Sequence, residues 1–458
     1  LFAIDEITGE MVATGYSKKL KSEFLKAHPT LVVDTLHFDA GFTARLLEAI
    51  GDVDEQTDGV LFHSENGQAM SMMQSRYQKR IECVHIDPPY NTQTSGFLYR
   101  NTYQHSSWLA MMAERLDATH GLLSAGGALL CHIDENEYER LHVMCEEMQL
   151  PNAGTVVWDK RNPMLGRKGV ATQHEYVLWR TNTAGPLYLR NANQRLILEN
   201  ASRIVAQAGG VTEEARIVFS KWIASCPGLS GGERANRYLN DDARVYQSAG
   251  MSAPEQRTDA KFFEPLIHPK TGKPCPVPPY GWSRTPETFK NLLEKNEILF
   301  GEDESVQPRR KVFLTKDSQR QVSSIIQDAG RGKTDMDKLG LEFPYCHPLS
   351  LYIELVGAAA PSGDAIVLDF FAGSGTNGHA VIALNRDEGT HRRLILIEVG
   401  EQFDSVLVPR IKKATYTPEW KDGKPKRLAT TEEAERSPRI VKVLRLESYE
   451  DALNNLET

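Results

Sequence analysis

"VLDFFAGSGT", residues 367–376, joins an apolar run to two close glycines, and the helix-periodic "GHAVIALN" (378–385) follows directly. The pattern predicts a buried strand ending at Asp369, a tight turn through Gly373 and Gly375, and a helix beyond. Glycine lets a ligand approach the backbone at such a turn. The first N–H groups of the helix lack partners inside it and are available to a carboxylate or phosphate. Glu398 closes the next apolar run, "RRLILIE" (392–398), where an acid can grip the hydroxyl pair of a ribose. With both acids in place, a nucleoside cofactor is a better reading than a plain tight turn. NAD, ATP and S-adenosylmethionine all remain open, because Gly373, Gly375 and Gly378 also satisfy the dinucleotide spacing.

Working outward, short apolar runs alternate with helical patterns. "GVLFHSEN" (59–66), "IECVHI" (81–86), "GGALLCHI", "GTVVWDK" and "EYVLWR" read as strands. "GQAMSMMQSRYQ" and "HSSWLAMMAERLDATHGLL" (105–123) read as helices, the Met-rich part as core packing. Asp134, with Glu137 three residues on, carries a capping-box signature for a further helix. The alternation predicts a parallel α/β sheet. It fades between 181 and 335 and returns afterwards. The expected organisation is a lead-in (1–58), a first half of the α/β domain (59–180), an inserted domain (181–335), a second half (336–415) and a C-terminal extension (416–458). The strand-like "IVKVLRLESY" in that extension either pairs with a partner at an edge or closes this chain's own sheet.

The chain has 458 residues, 40% hydrophobic and 25% charged, enough for two or three domains with real cores. A net charge of −8 gives no sign of a nucleic-acid partner, although a basic groove can sit on an acidic body. Six scattered cysteines argue against a zinc site or disulfide framework and fit a reducing cytoplasm. No metal is expected. No apolar run reaches membrane-spanning length, so no membrane partner is expected either. "GLSGG" (228–232) has the spacing of a nucleophile elbow without the preceding strand, and "AGRGKTD" lacks the first glycine of a phosphate loop.

"HIDPPYNTQTSGF" (85–97) discriminates between cofactors. Ligands of a parallel sheet bind beyond the carboxyl ends of its strands, where Asp87 falls. Pro88 and Pro89 fix the backbone and remove two N–H donors, leaving a rigid edge of carbonyl acceptors. Asp87 beside that edge makes a second acceptor, and Tyr90 offers an aromatic face. Two acceptors and a stacking platform suit the exocyclic amine of a flipped-out base. The competing reading is a rigid turn with Tyr90 filling core.

"DPPYN" and "FAGSGT", both at strand ends, resemble the amino-group DNA methyltransferases, and their order along the chain resembles the β class. "HSENGQAM", "HIDENE", "PLIHPKTGKPCPVP", "FPYCHPLSLY" and "LRLESYEDALNNL" extend the likeness to the Mod subunits of type III restriction-modification systems. The resemblance implies a Rossmann-like S-adenosylmethionine-dependent methyltransferase sheet, α/β, encoded in two halves, with an inserted α+β target-recognition domain. It implies that Asp369, Phe371, Ala372, Gly373, Ser374, Gly375, Thr376 and Asn377 surround S-adenosylmethionine, that Glu398 holds its ribose, and that Glu65 and Asn66 approach its adenine. Asp87 and the Pro88 carbonyl, with Pro89 and Tyr90, would hold the target amine. Asn377 and His347 depart from the commoner Thr and Lys, and both are expected to stand apart from the chemistry.

The expected activity is methylation of adenine N6 in double-stranded DNA. The alternatives are a non-catalytic DNA-recognition scaffold, or a cytosine-N4 or RNA methyltransferase. Lys160, Arg161, Arg167, Lys168, Arg309, Arg310, Lys311, Arg331 and Lys333 are candidates for phosphate contact. The family further implies a homodimer that docks a restriction subunit with helicase and nuclease activity.

Overall fold

The protein was analysed as a computed structural model, which describes residues 26, 28–91, 105–161, 170–181, 185, 187–190, 193–226, 229, 231–315, 319–328 and 330–447. Arg167 and Lys168 lie outside them. The chain divides into two compact units, residues 1–187 with 321–458, and residues 188–320.

The first unit is built on nine strands: β1 (Gly59–His63), β2 (Ile81–Ile86), β3 (Leu123–Ile133), β4 (Asn152–Asp159), β5 (His174–Thr181), β6 (Ile325–Gln327), β7 (Ile366–Asp369), β8 (Arg393–Glu398) and β9 (Val441–Arg445). They form one sheet in the order β6-β4-β5-β3-β2-β7-β8-β1-β9. The expectation of a parallel sheet needs correction at one strand. β5 runs antiparallel to both β3 and β4, while the other pairings are parallel.

Side chains alternate across the sheet. Val60, Phe62, Ile395 and Ile397 share a core with Met70 and Met73 of α2 (Asn66–Tyr77) and with Trp108, Met112 and Leu116 of α3 (His105–Leu122). Leu396 points the other way, towards α7 (Thr376–Glu388) and α8 (Val408–Tyr416). Completing this unit are α1 (Ala40–Ile50), α4 (Tyr138–Glu147), α5 (Gly332–Leu339) and α6 (Leu349–Ala359). The capping box expected at Asp134 is not made. Asp134 accepts from Asn136 N at 2.9 Å, and Glu137 precedes α4 without a side-chain cap.

β6 and α5 place residues 321–335 in this unit, so the second unit is narrower than the 181–335 insert read from sequence. β9 pairs with β1 from Val441↔Gly59 to Arg445↔His63, closing this chain's own sheet. The second unit contains helices Gln194–Gln207, Glu213–Ser225 and Pro286–Glu294 and a four-stranded antiparallel sheet that includes Val245–Ala249 and Arg309–Phe313. Its cores centre on Phe219, Ile223 and Val245, and on Trp282 and Phe289. Among the described residues, no helix is long and apolar enough to cross a membrane.

Candidate active site

β2 and β7 are parallel neighbours, with Val84 opposite Leu368 and Cys83 opposite Val367. The register delivers Asp87 and Asp369 to the same edge of the sheet, and Glu398 ends the adjacent β8. The two motifs, remote in sequence, are therefore adjacent in space.

The glycine turn is held from beneath. Asp369 accepts Phe371 N at 3.0 Å and Asn377 Nδ2 at 2.7 Å. Burial pushes its carboxyl up to about 7. Ser374 and Thr376 turn their hydroxyls to Arg410 Nη1, each at 2.8 Å. Asp369, Ser374, Thr376 and Asn377 are thus buried supports of the turn, which is lined by its backbone and half-buried Phe371. Gly373 and Gly375 adopt φ of 51° and 80°, which L side chains adopt only with strain. A Cβ at Gly373 would meet nothing closer than 3.9 Å, so protein does not fill the space above it. Glu398 is fixed by the N–H groups of Gly373, Val399 and Gly400, each at 2.8 Å. Asn66 ties into the same edge through Phe370 O at 3.0 Å. Glu65 is exposed, caps α2 through Gln68 N and pairs with Arg115 at 2.5 Å.

Around Asp87 the structure assembles groups that the sequence did not assign to this site. His347 Nδ1 lies 3.2 Å from Asp87 Oδ2, and its Nε2 lies 2.9 Å from Glu175 Oε2. The expectation that His347 and Asn377 stand apart is therefore corrected. His347 touches the catalytic candidate, and Asn377 spans Asp369 and β2, its Oδ1 accepting from His85 Nδ1 (2.7 Å) and its Nδ2 donating to His85 O (2.9 Å). Tyr90 donates to Glu175 Oε2 at 3.1 Å, and Trp108 donates to Pro89 O at 2.8 Å. Among the described residues, no donor meets the Pro88 carbonyl.

Lys160, a candidate for phosphate contact, bonds Glu175 Oε1 at 2.5 Å. Burial would raise Glu175, but His347 and Lys160 overcome it and hold the carboxyl down at about 2. Burial raises Asp87 and Tyr90, the Asp87 shift being opposed by His347. His85 and His132, bonded Nε2 to Nε2 at 2.8 Å, are kept neutral by burial, His85 falling to about 3. The shared sequence signal was a histidine near the end of two otherwise apolar strands.

Ligand atoms of His132, Glu175 and His347 lie within 4.8 Å of one another, close enough for a metal ion. Glu175, however, already carries Lys160 and His347, so its charge is compensated without one. A hollow lined by Leu123, Gly127, Leu150 and Arg180 lies away from all these groups.

The remaining basic candidates are dispersed. Arg161 Nη2 reaches Gln327 Oε1 at 2.5 Å, and Arg331 and Lys333 are exposed at the start of α5. In the second unit, exposed Arg309 bonds Ser248 Oγ at 2.7 Å and Lys311 reaches Asn296 Oδ1 at 3.3 Å. Arg310 points to the other sheet face and pairs with Glu297 at 3.6 Å.

This arrangement of a strand-end Asp-Pro-Pro-Tyr beside a glycine turn defines a class: the DNA methylase family matches residues 81–406, and the chain belongs to it. Among its relatives, the Mod subunit of the Escherichia coli type III restriction-modification enzyme EcoP15I is 26% identical over 394 residues, covering 75% of this chain and 58% of that protein. The StyLTI Mod subunit of Salmonella typhimurium is 23% identical, covering 90% and 62%. The chain thus spans about three-fifths of the length of these relatives. The solved PvuII DNA methyltransferase, cytosine-N4-specific, is 10% identical with a TM-score of 0.39, covering 79% of this chain and 86% of that one.

Proposed function

We propose that this chain transfers a methyl group from S-adenosylmethionine to adenine N6 in double-stranded DNA, as the modification and recognition subunit of a type III-like restriction-modification system. The observation that carries the reading is the β2–β7 pairing, which sets Asp87-Pro88-Pro89-Tyr90 beside the glycine turn. The turn suits this cofactor. Gly373 leaves room for close approach, Phe371 offers a half-buried ring, and Glu398 is held in place at the end of β8 for a ribose. When bound, S-adenosylmethionine supplies an electrophilic methyl on a positively charged sulfur.

The chain's own residues orient the acceptor. Asp87 and the Pro88 carbonyl accept the two amine hydrogens, which draws the nitrogen lone pair out of ring conjugation and aims it. Tyr90 presents a half-buried ring to a flat base. Catalysis is then positioning plus electrostatics. An aspartate at the first motif position favours adenine over cytosine. The second unit, with Arg309 and Lys311 on one sheet face, carries DNA recognition. The working form is a homodimer that docks a restriction subunit, because one copy reads an asymmetric site while the other positions the base.

Asp87→Ala tests the chemistry with tritiated S-adenosylmethionine and unmethylated plasmid DNA. Losing one acceptor of the transition state costs ~2–4 kcal/mol by analogy with oxyanion-hole donors, a rate loss of roughly 30- to 10³-fold. Cofactor affinity and melting temperature should hold. Unchanged turnover refutes the assignment, and base-resolution sequencing of the product separates adenine N6 from cytosine N4. For the dimer, light scattering giving a clean monomer with and without DNA is the refuting result.

A further inference from the structure

His347 sits in "FPYCHPLSLY" (343–352), just ahead of α6, and joins the two acids of the site. Its Nδ1 is 3.2 Å from Asp87 Oδ2, with the Tyr352 hydroxyl also at 3.2 Å. Its Nε2 is 2.9 Å from Glu175 Oε2. A neutral imidazole has one N–H and one lone pair, so in this position it would turn a lone pair towards a carboxylate oxygen. The imidazolium has an N–H for each side.

The carboxylates around the ring favour that state and outweigh burial and the charge of Lys160. β2 and its loop bring Asp87 and Tyr90. β3 brings His132, whose ring centroid is 4.7 Å away, with His85 beyond it. Lys160 follows β4, which also presents the edge of Trp158 at 4.9 Å, and β5 brings Glu175. α6 brings Tyr352 at 5.9 Å. His85 and His132 are neutral, and burial keeps Tyr90 and Tyr352 un-ionised. Two carboxylates therefore face two cations. Lys160 takes one oxygen of Glu175, and His347 bridges to Asp87. Burial alone would lower His347, but Asp87 and Glu175 outweigh it and the ring is raised. Among the described residues, His347 is the ion-pair partner of Asp87. Apolar packing is often at least as stabilising as a buried ion cluster, so stability gives no reason to keep these charges beside the reacting edge.

We propose that His347 is the positioning residue for Asp87: its imidazolium, braced by Glu175 and Lys160, holds the Asp87 carboxylate ionised and fixed in orientation as the acceptor of the target amine. This rests on the methyltransferase reading above. The histidine does not touch the reacting atoms; it acts through the aspartate. The activity should therefore have an acid limit where Asp87 takes a proton and an alkaline limit where His347 loses one.

The test is single-turnover tritium transfer from S-adenosylmethionine to unmethylated plasmid DNA across the pH range, with His347→Gln and His347→Lys beside the wild type. The uncharged Gln variant should lose rate first at the acid end. Its acid limb should move up by about one pH unit, a tenfold loss there. The Lys variant should keep the wild-type acid limb and carry its alkaline limb to higher pH. Cofactor affinity by calorimetry should be unchanged in both. A Gln variant whose profile keeps the wild-type shape, or a Lys variant no better than Gln in acid, overturns the proposal. Should the Gln variant fail to fold, the alkaline limb of the Lys variant decides, and one unmoved from wild type overturns it. A wild type that transfers no methyl at any pH strikes the methyltransferase reading itself, whereas an active wild type with unresponsive variants strikes only His347.

Discussion

Alanine at Gly378 would drive its methyl against Ile411 Cδ1 and Leu396 Cδ1, which lie 2.5 and 2.8 Å from the ideal Cβ position. Overpacking of this kind costs about 1–3 kcal/mol. The gain in helix propensity returns about 1 kcal/mol, leaving a net loss of roughly 0–2 kcal/mol. Alanine at Gly373 meets nothing within 3.9 Å, but φ of 51° costs it about 1–2 kcal/mol of backbone strain. The two variants should therefore be destabilised alike, with melting temperatures lower by about 1–4 °C for a domain of this size. Their ligand behaviour should differ. The Gly373 methyl enters the open space above the turn, whereas the Gly378 methyl lies between α7 and β8. Calorimetric titration with S-adenosylmethionine should show at least tenfold weaker binding for Gly373→Ala, about 1.4 kcal/mol, and near wild-type binding for Gly378→Ala. Since Gly378→Ala controls for destabilisation of the same turn and helix, equal losses of affinity would refute the claim that the ligand approaches over Gly373.

Three other outcomes are expected. Arg309→Ala with Lys311→Ala should reduce the slope of log K against log salt for duplex DNA, whereas Arg310→Ala, paired to Glu297 on the opposite face, should leave it nearly unchanged; equal effects remove the face assignment. Burial lifts Asp369 from 3.8 to about 7, so the folded chain holds a proton there that the unfolded chain releases. That contribution is fully present below about pH 4 and is lost as pH rises to about 7, so Asp369→Asn should flatten the fall in melting temperature across this window. Truncation after Lys413 should unfold the first unit, because Arg386 bonds the carbonyls of Ala414 and Thr415 at 2.5 Å and Ser437 Oγ at 3.0 Å from inside the core; a truncated protein that melts like the full chain contradicts this.

What the sequence revealed and what it hid follow from the range of the interactions involved. The glycine turn was legible because strand, turn and helix are contiguous and each obeys a local rule. Asp87 stood out as a candidate because two prolines close an apolar strand there, with a rigid turn as the competing reading. The reversed β5 was not legible, since apolar alternation marks a strand without marking its direction, and β9 carried the same pattern in either pairing. The Lys160 pairing was hidden for a related reason. A lone lysine in a polar stretch is by default solvated, and only the return of β5 beside β4 brings Glu175 to it. His347 was hidden most deeply, because its partners come from the loop after β2 and from β5. Its position beside a proline read as a departure from the commoner lysine. The fold explains why that departure is acceptable: a position held between Asp87 and Glu175 requires a cation, and either side chain can supply one. What differs is the pH at which each loses its charge. A histidine loses its charge at a lower pH than a lysine does, so it makes the acceptor state of Asp87 responsive to pH where lysine would keep it fixed.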